Sequence, residues 1–427
     1  MCYPDIGTIF CIEHFFGGKM QNRQNYLDTL LEFLDKELIK VIVGVRRCGK
    51  STLLRLLAEE LRNRKIPSQN IIHINFESMK YRDIRDHHQF YDYVMGHIAD
   101  SGKTYLLIDE PQNVRAWEKA VNSFKLDFDC DIYITGSNAR LLSSELATLI
   151  AGRYVEIDVY PLSYKEYLDF HARENSEKNF QDYLKFGGFP STVELGGNVD
   201  RINDVLDGIY NTVIMKDVMA KNKIKDEELL QKIVLFLADN VGNTTSVHSI
   251  ANSLRGAGRL EYTPKFPATS TAYCYIGALE KAFIFHEAKR YDLKGKRLLK
   301  TLGKYYIVDI GLRNMLLGYR DVDREHILEN IVFLELKRRG YRVCIGKIDG
   351  KEIDFIAEKA SHKMYVQVCE TLGDTATLGR ELTPLTLVRD NHEKMIITND
   401  RTFVEDYEGI KIKNAADWLL DTPKKHS

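Results

Sequence analysis

Eight residues, Gly44-Val45-Arg46-Arg47-Cys48-Gly49-Lys50-Ser51, constrain this chain more than any other stretch. They follow the apolar run Lys40–Val43 and open Ser51–Arg64 (STLLRLLAEELRNR), where Leu53, Leu54, Leu57 and Leu61 recur at helical spacing. A strand, a glycine-bounded loop and a helix in that order make an anion site. The glycines let the backbone curl so that successive N–H groups face phosphate oxygens, and the helix N-terminus adds partial positive charge at the same place. Lys50 then serves as a point charge for the outer phosphates, and the Ser51 hydroxyl as a ligand for Mg²⁺. Gly44, Arg46, Arg47, Cys48, Gly49 and Thr52 complete the candidate nucleotide-binding set. A thiol inside such a loop also predicts that an alkylating reagent at Cys48 blocks nucleotide binding and that ATP protects it.

Two further strand ends point to the same chemistry. Tyr105-Leu106-Leu107-Ile108 runs into Asp109-Glu110. Asp109 suits a water-mediated hold on Mg²⁺, and Glu110 suits polarising the attacking water as a general base. Tyr133-Ile134-Thr135-Gly136 ends in Ser137-Asn138, and either polar residue can hold a catalytic water or cap a helix. Between residues 20 and 165 the runs Val41–Val45, Ile71–Phe76, Thr104–Asp109, Asp131–Gly136 and Tyr154–Val159 read as strands alternating with helices. That alternation predicts an α/β fold with a mostly parallel sheet covered by helices.

Composition narrows the setting. The 427 residues carry 60 Lys+Arg against 61 Asp+Glu, a net charge of -1, which excludes a uniformly basic nucleic-acid coat and an acidic disordered tail. Length alone suggests two to four domains. Cys2, Cys11, Cys48, Cys130, Cys274, Cys344 and Cys369 form no C-x-x-C pair, so a disulfide framework or zinc knuckle is not expected and a reducing cytoplasm is. Apolar runs such as Val41–Val45 fall far short of the roughly 20 residues of a membrane helix, so no membrane association is expected. Residues 1–19 read as a leader without the basic start of a signal peptide, and Met20 is an alternative start.

Beyond residue 165 the chain reads as three further units. Residues 166–228 are helical, broken at Phe186-Gly187-Gly188-Phe189-Pro190. Residues 229–320 give helices at Leu229–Val241, Val247–Arg255 and Thr269–Ala282, then strands Ala282–Arg290 and Lys304–Asp309 joined by the basic hairpin Tyr291–Thr301, the order of a winged helix-turn-helix. Lys294, Lys296, Arg297 and Lys300 on that wing can lie along the phosphates of double-stranded DNA. Tyr273, Cys274 and Tyr275 on the third helix are not residue types that read base edges, so a protein-contact role stands beside the DNA role. From 321 to the end the order is helix Arg324–Arg338, strands Arg342–Lys347, Glu352–Glu358 and Lys363–Glu370, then a mixed tail.

The three nucleotide motifs resemble Walker A, Walker B and sensor 1 of the AAA+ ATPases. Ala151-Gly152-Arg153-Tyr154 and Tyr160-Pro161-Leu162-Ser163-Tyr164 are similar to prokaryotic members of the AAA_14 type that carry a C-terminal domain of unknown function, DUF4143. The resemblance spans about residues 22–420. It implies the sheet order of the additional-glutamate branch of P-loop proteins, a helical lid at 166–228, Arg153 as an arginine finger or γ-phosphate sensor in cis or in trans, and ring-like homo-oligomers.

The last unit resembles a restriction-endonuclease-like PD-(D/E)xK domain through Glu329, Asp354 and the strand Tyr365-Val366-Gln367-Val368-Cys369. Gln367 stands where the second acid belongs and Cys369 where the lysine belongs, which implies an inactive nuclease-like scaffold. Glu352 and Glu370 are expected on the opposite faces of their strands. The leading expectation is an Mg-ATP hydrolase that couples nucleotide state to movement of its winged-helix and nuclease-like modules. The alternatives are a low-turnover nucleotide switch or scaffold with a protein client, and a DNA-processing ATPase-nuclease.

Overall fold

The computed structural model describes residues 23–137, 152–170, 172–246, 249–250, 269–299, 303–360, 362–401 and 406–421. Strands β1 (Ile39–Val43), β2 (Ile71–Asn75), β3 (Thr104–Asp109), β4 (Cys130–Gly136) and β5 (Tyr154–Asp158) form one sheet in the order β2-β3-β4-β1-β5. Every pairing in it is parallel. This is the order that the family resemblance implied, with β4 between the loop strand and the acid-bearing strand. Side chains of β1 alternate between two cores: Ile42 packs with the helices Gln24–Glu32 and Lys50–Asn63, while Ile39, Val41 and Val43 pack with His87–Met95 and Trp117–Asp127. A strand covered on both faces is apolar throughout, which is why IKVIV carries no polar alternation beyond Lys40. That lysine is buried and paired with Asp131 of β4.

The first core does not stop at the sheet. Leu57, Tyr164, Leu206, Leu237, Ile307, Val332 and Val366 belong to one contiguous apolar cluster, so the units read from sequence share a common interior. The helices Tyr164–Phe170, Glu177–Phe186, Pro190–Val193 and Val199–Tyr210 form the expected helical segment. A π-helical stretch, Asn211–Val218, prolongs the last of them. The double glycine between these helices answers to close approach. At Gly187, φ is +73° and a Cβ would lie 2.3 Å from Asp309 Oδ1. Asp309 caps the helix Ile310–Leu317, accepting from Leu312 N at 3.1 Å, and accepts from Gly188 N at 2.7 Å. Burial pushes its carboxyl up to about 6.

In the next unit the helices Glu227–Asp239 and Thr269–Lys281 form as expected. Of the helix read at Val247–Arg255, only 249–250 lie within the described residues. Strands β6 (Thr244–Thr245), β7 (Phe285–Ala288) and β10 (Gly303–Ile307) form a small antiparallel sheet in the order β6-β10-β7. The basic hairpin departs from the expectation of a free wing. Its strands β8 (Arg290–Asp292) and β9 (Arg297–Leu298) join the C-terminal sheet, with β8 parallel to β11 (Arg342–Ile348). The physical reason is the otherwise open edge of β11, whose backbone groups gain partners from the hairpin: Ile345 N donates to Lys289 O and Leu293 N to Lys347 O.

The C-terminal unit packs the helix Arg324–Arg338 on one face of an eight-stranded sheet, β15-β16-β14-β13-β12-β11-β8-β9. The newly named strands are β12 (Lys351–Lys359), β13 (His362–Cys369), β14 (Glu393–Thr398), β15 (Asp406–Tyr407) and β16 (Ile410–Asn414). The helix Thr375–Leu387 contributes to a core on the other face. No described helix is long and apolar enough to cross a membrane.

Candidate functional site

The loop Gly44–Gly49 leaves β1 and turns into the helix that begins at Lys50. Gly44 has φ +149°, and a Cβ there would lie 2.1 Å from Val159 O, so only glycine fits between loop and β5. Lys50 is 5% exposed, and its ammonium donates to Gly44 O at 2.9 Å and Val45 O at 3.0 Å. Ser51 and Thr52 occupy the first turn of the helix, half-buried, and Arg47 is exposed. Arg46 reaches sideways, to Glu77 Oε1 at 2.8 Å and to Asp217 of the π-helical stretch at 3.4 Å.

The underside of the loop is held by a residue that sequence reading passed over. Arg23 is buried and donates to Cys48 O and Tyr160 O, both at 2.8 Å, and forks onto Glu166 at 2.9 and 3.0 Å. Cys48 points inward, its thiol donating to Val159 O at 3.2 Å. It is fully buried, so the expectation that alkylation there blocks nucleotide binding is corrected; Cys274 is the exposed thiol among the described residues.

The acids stand beside the loop. Asp109 is opposite Asn75 of β2 and Thr135 of β4 in register. It accepts from Asn75 Nδ2 at 3.0 Å and from the Thr135 hydroxyl. Glu110, the next residue, adopts a left-handed backbone with φ +54° at the strand end. Its carboxylate accepts from Gln112 Nε2 and from Ser137 Oγ at 3.3 Å. Burial pushes the Glu110 carboxyl up; Lys50 pulls it down, and the Asp109 and Glu77 carboxylates raise it. The order β3-β4-β1 therefore gathers Glu110, Ser137 and Lys50 at one edge of the sheet. Asp109 and Glu110 are held by neutral hydrogen-bond partners. The lysine holds only carbonyls, which leaves its charge for an incoming anion. These residues fit Mg-nucleotide: Ser51 and Asp109 would hold the ion, which would supply charge neutralisation at the phosphates.

Of the remaining sequence candidates, Asn138 lies outside the described residues. Arg153 lies at the far end of the sheet: Ile39 N donates to Arg153 O at 2.9 Å, and Tyr154 pairs with Ile39, whereas the loop follows Val43. One five-residue strand spans about 16 Å, so Arg153 does not reach the phosphate site of its own chain. Asn75, Thr135 and Gln112 were missed; their signal was positional, since each neighbours an acid in register or turn.

The second candidate centre is built differently. Glu329 on the helix Arg324–Arg338 and Asp354 on β12 do come together, with Lys304 of β10 between them. Its ammonium lies 2.8 Å from Glu329 Oε1, 2.9 Å from Glu352 Oε1 and 3.5 Å from Asp354 Oδ1. Tyr306 donates to the same Glu329 oxygen at 2.6 Å. The expected orientation of Glu352 is corrected: it and Asp354 both reach the Lys304 ammonium, so both face the same side of β12. Glu370 is elsewhere, paired with Arg324 at 2.9 Å. Gln367 accepts from Asp354 N at 2.9 Å and donates to Glu381 at 3.0 Å, a strand tie. Cys369 is buried, and burial pushes its thiol up to about 12. Among the described residues no group of His, Cys, Asp and Glu is arranged to hold a metal, and a lysine at the focus of the carboxylates does not fit one.

On the hairpin, Lys294 is paired with Asp349, while Lys296 and Arg297 are exposed and Lys300 lies outside the described residues. Tyr273 on the helix Thr269–Lys281 is 61% exposed.

Residues 36–168 match the family model described as AAA domain, and residues 177–323 match a domain of unknown function, DUF8612, rather than the one the sequence resemblance suggested. The second match takes in most of the two segments, 166–228 and 229–320, that the sequence reading kept apart. The chain is 43% identical over 408 residues to an uncharacterized protein of Haemophilus influenzae, covering 94% of this chain and 99% of that one. It is 30% identical over 355 residues to the uncharacterized protein MJ1544 of Methanocaldococcus jannaschii, covering 79% and 76%. Among solved structures it is similar to the ORC2 protein of Aeropyrum pernix at 11% identity and a TM-score of 0.37, covering 73% of this chain and 92% of that one. Cdc6p of Pyrobaculum aerophilum gives 15% identity and a TM-score of 0.29, covering 74% and 95%.

Proposed function

The chain belongs to a family of AAA+ P-loop proteins that includes those bacterial and archaeal relatives, and from that premise we propose that it binds and hydrolyses Mg-ATP at the edge formed by β1, β3 and β4. The observation that carries this reading is the placement of Lys50, bound only to backbone carbonyls, across β4 from the buried Glu110, whose carboxyl burial pushes up. On nucleotide arrival Lys50 exchanges two carbonyls for phosphate oxygens, a gain of a charge-assisted bond for a neutral one. Glu110 takes the proton of the attacking water; its raised affinity for a proton brings it nearer the working pH of a general base. Asn75 and Thr135 fix the Asp109 carboxylate, which would hold the metal ion without rearranging.

Steady-state phosphate release tests this, comparing wild type with Lys50→Ala and Glu110→Gln. Loss in both variants is expected, and equal rates in all three contradict the reading. Wild type that retains ADP and releases no phosphate would favour the low-turnover switch.

The ion pair of Arg46 with Asp217 supports coupling, because it runs from the loop to the π-helical stretch that leads into the winged-helix segment. The partner reached this way is double-stranded DNA or a protein client. The exposed cations Lys296 and Arg297 favour DNA, although the hairpin's place on the C-terminal sheet leaves only its tip for phosphates. Binding of labelled duplex at two salt concentrations, with and without ATP, separates them. A steep salt slope that ATP alters supports DNA; absence of binding moves the segment to protein contact.

A further inference from the structure

We propose that Lys304 is the resident cation of the Glu329–Glu352–Asp354 centre, and that this centre works as a clasp between the winged-helix segment and the C-terminal unit rather than as a metal-dependent nuclease. An ammonium has three protons to donate and no acceptor capacity. Lys304 Nζ lies within ion-pair distance of three carboxylates, each on a different side chain. The lysine is 4% exposed and Glu329 is buried with it, so that contact is shielded from water, while Glu352 lies at the open side of the cluster with 32% of its side chain exposed.

The other oxygens of the three carboxylates are also engaged. Glu352 Oε2 faces Arg290 at 3.6 Å and accepts from Thr244 Oγ1 at 3.4 Å. Asp354 Oδ2 accepts from Val368 N at 2.9 Å. Glu329 Oε2 faces His326 Nδ1 at 3.9 Å, and a Cβ on Gly242 would lie 2.8 Å from it, so the backbone closes that side. A divalent ion needs several oxygen lone pairs converging on a shared point; here that point is taken by nitrogen.

The origin of the partners gives the cluster its role. Thr244, Arg290, Lys304 and Tyr306 come from the segment 229–320, while Glu329, Glu352 and Asp354 come from the C-terminal unit. Val368 N and His326 add contacts from within the C-terminal unit, but Lys304, Arg290, Thr244 and Tyr306 all reach these acids across the boundary, so the centre ties the two units in one relative position. The lysine missing from β13, where Cys369 stands, is thus matched by a lysine brought from another unit, placed among the acids themselves.

The test uses the full chain. Mn²⁺ binding is titrated, without nucleotide, in wild type and Asp354→Asn, and thermal melting is recorded for wild type, Lys304→Met and Lys304→Met/Glu329→Gln. The expected results are Mn²⁺ uptake that Asp354→Asn does not change, a fall in melting temperature of roughly 5 °C or more in Lys304→Met, and partial recovery in the double variant, where the most buried of the three carboxylates left without the lysine is gone. A Lys304→Met protein that melts like wild type overturns the clasp. So does wild-type Mn²⁺ uptake that Asp354→Asn abolishes, or Mn²⁺-dependent cleavage of duplex DNA that Lys304→Met abolishes. If Lys304→Met yields no folded protein, the Mn²⁺ comparison of wild type with Asp354→Asn decides alone.

Discussion

Two buried lysines, Lys50 and Lys304, stand beside two sets of acids, and their partners differ in kind. Lys50 donates to the carbonyls of Gly44 and Val45, while its neighbouring acids Asp109 and Glu110 are held by Asn75, Thr135, Gln112 and Ser137. Lys304 is held by Glu329, Glu352 and Asp354. In the first site charge is held in reserve, because neutral groups satisfy both the cation and the anions. In the second the cation is already engaged by carboxylates. A buried lysine beside carboxylates therefore does not by itself mark a reactive centre; whether its partners are neutral or charged separates a site that awaits a ligand from one already closed.

The largest expected effects break the first site. Glu110→Gln should lower the hydrolytic rate by on the order of 10²–10⁴-fold while ATP still binds. Lys50→Ala should lose nucleotide binding as well, read by equilibrium binding of a fluorescent ATP analogue. At the second site Lys304→Met should cost about 3–5 kcal/mol of stability, the usual penalty for leaving a buried carboxylate unpaired, measured by denaturant unfolding. Equal stability costs for Lys50→Ala and Lys304→Met would erase the distinction between them.

A smaller effect sharpens the comparison through pH. Glu110 must be ionised to accept a proton, and burial raises it above its ordinary value of 4.5. The acidic limb of the pH–rate profile should therefore lie above pH 4.5. Gln112 stabilises the charged form, so Gln112→Ala should move that limb to still higher pH, with the plateau rate nearly retained. A limb that moves down, or stays, removes Glu110 as the titrating base.

Much of this was legible in the chain. The run IKVIV and the acids after Tyr105–Ile108 placed the strands within two residues, because a parallel strand buried on both faces has a distinctive composition. Walker A and Walker B residues fall where local sequence put them, since their geometry depends on a strand end and a helix start. What depends on pairing between distant segments was not legible. Arg153 reads as a finger in cis or in trans, and only the register of β5 on β1, which sends it to the far end of the sheet, removes the reading in cis. The basic hairpin reads as a wing until the open edge of β11 is known to take it up. Lys304 lies in an ordinary strand pattern, Gly303–Ile307, and only the approach of β12 and the helix Arg324–Arg338 surrounds it with acids. Glu352 meets Lys304 together with Asp354 beside an irregularity in the β11–β12 register, which strand alternation alone does not reveal.

One measurement addresses both halves of the account: the number of Mn²⁺ ions held tightly per chain, counted by electron paramagnetic resonance with and without ATP. The account predicts no tightly held ion without nucleotide and a single ion with ATP, lost in Lys50→Ala and unaffected by Asp354→Asn. A tightly held ion in the absence of ATP that disappears in Asp354→Asn would contradict it.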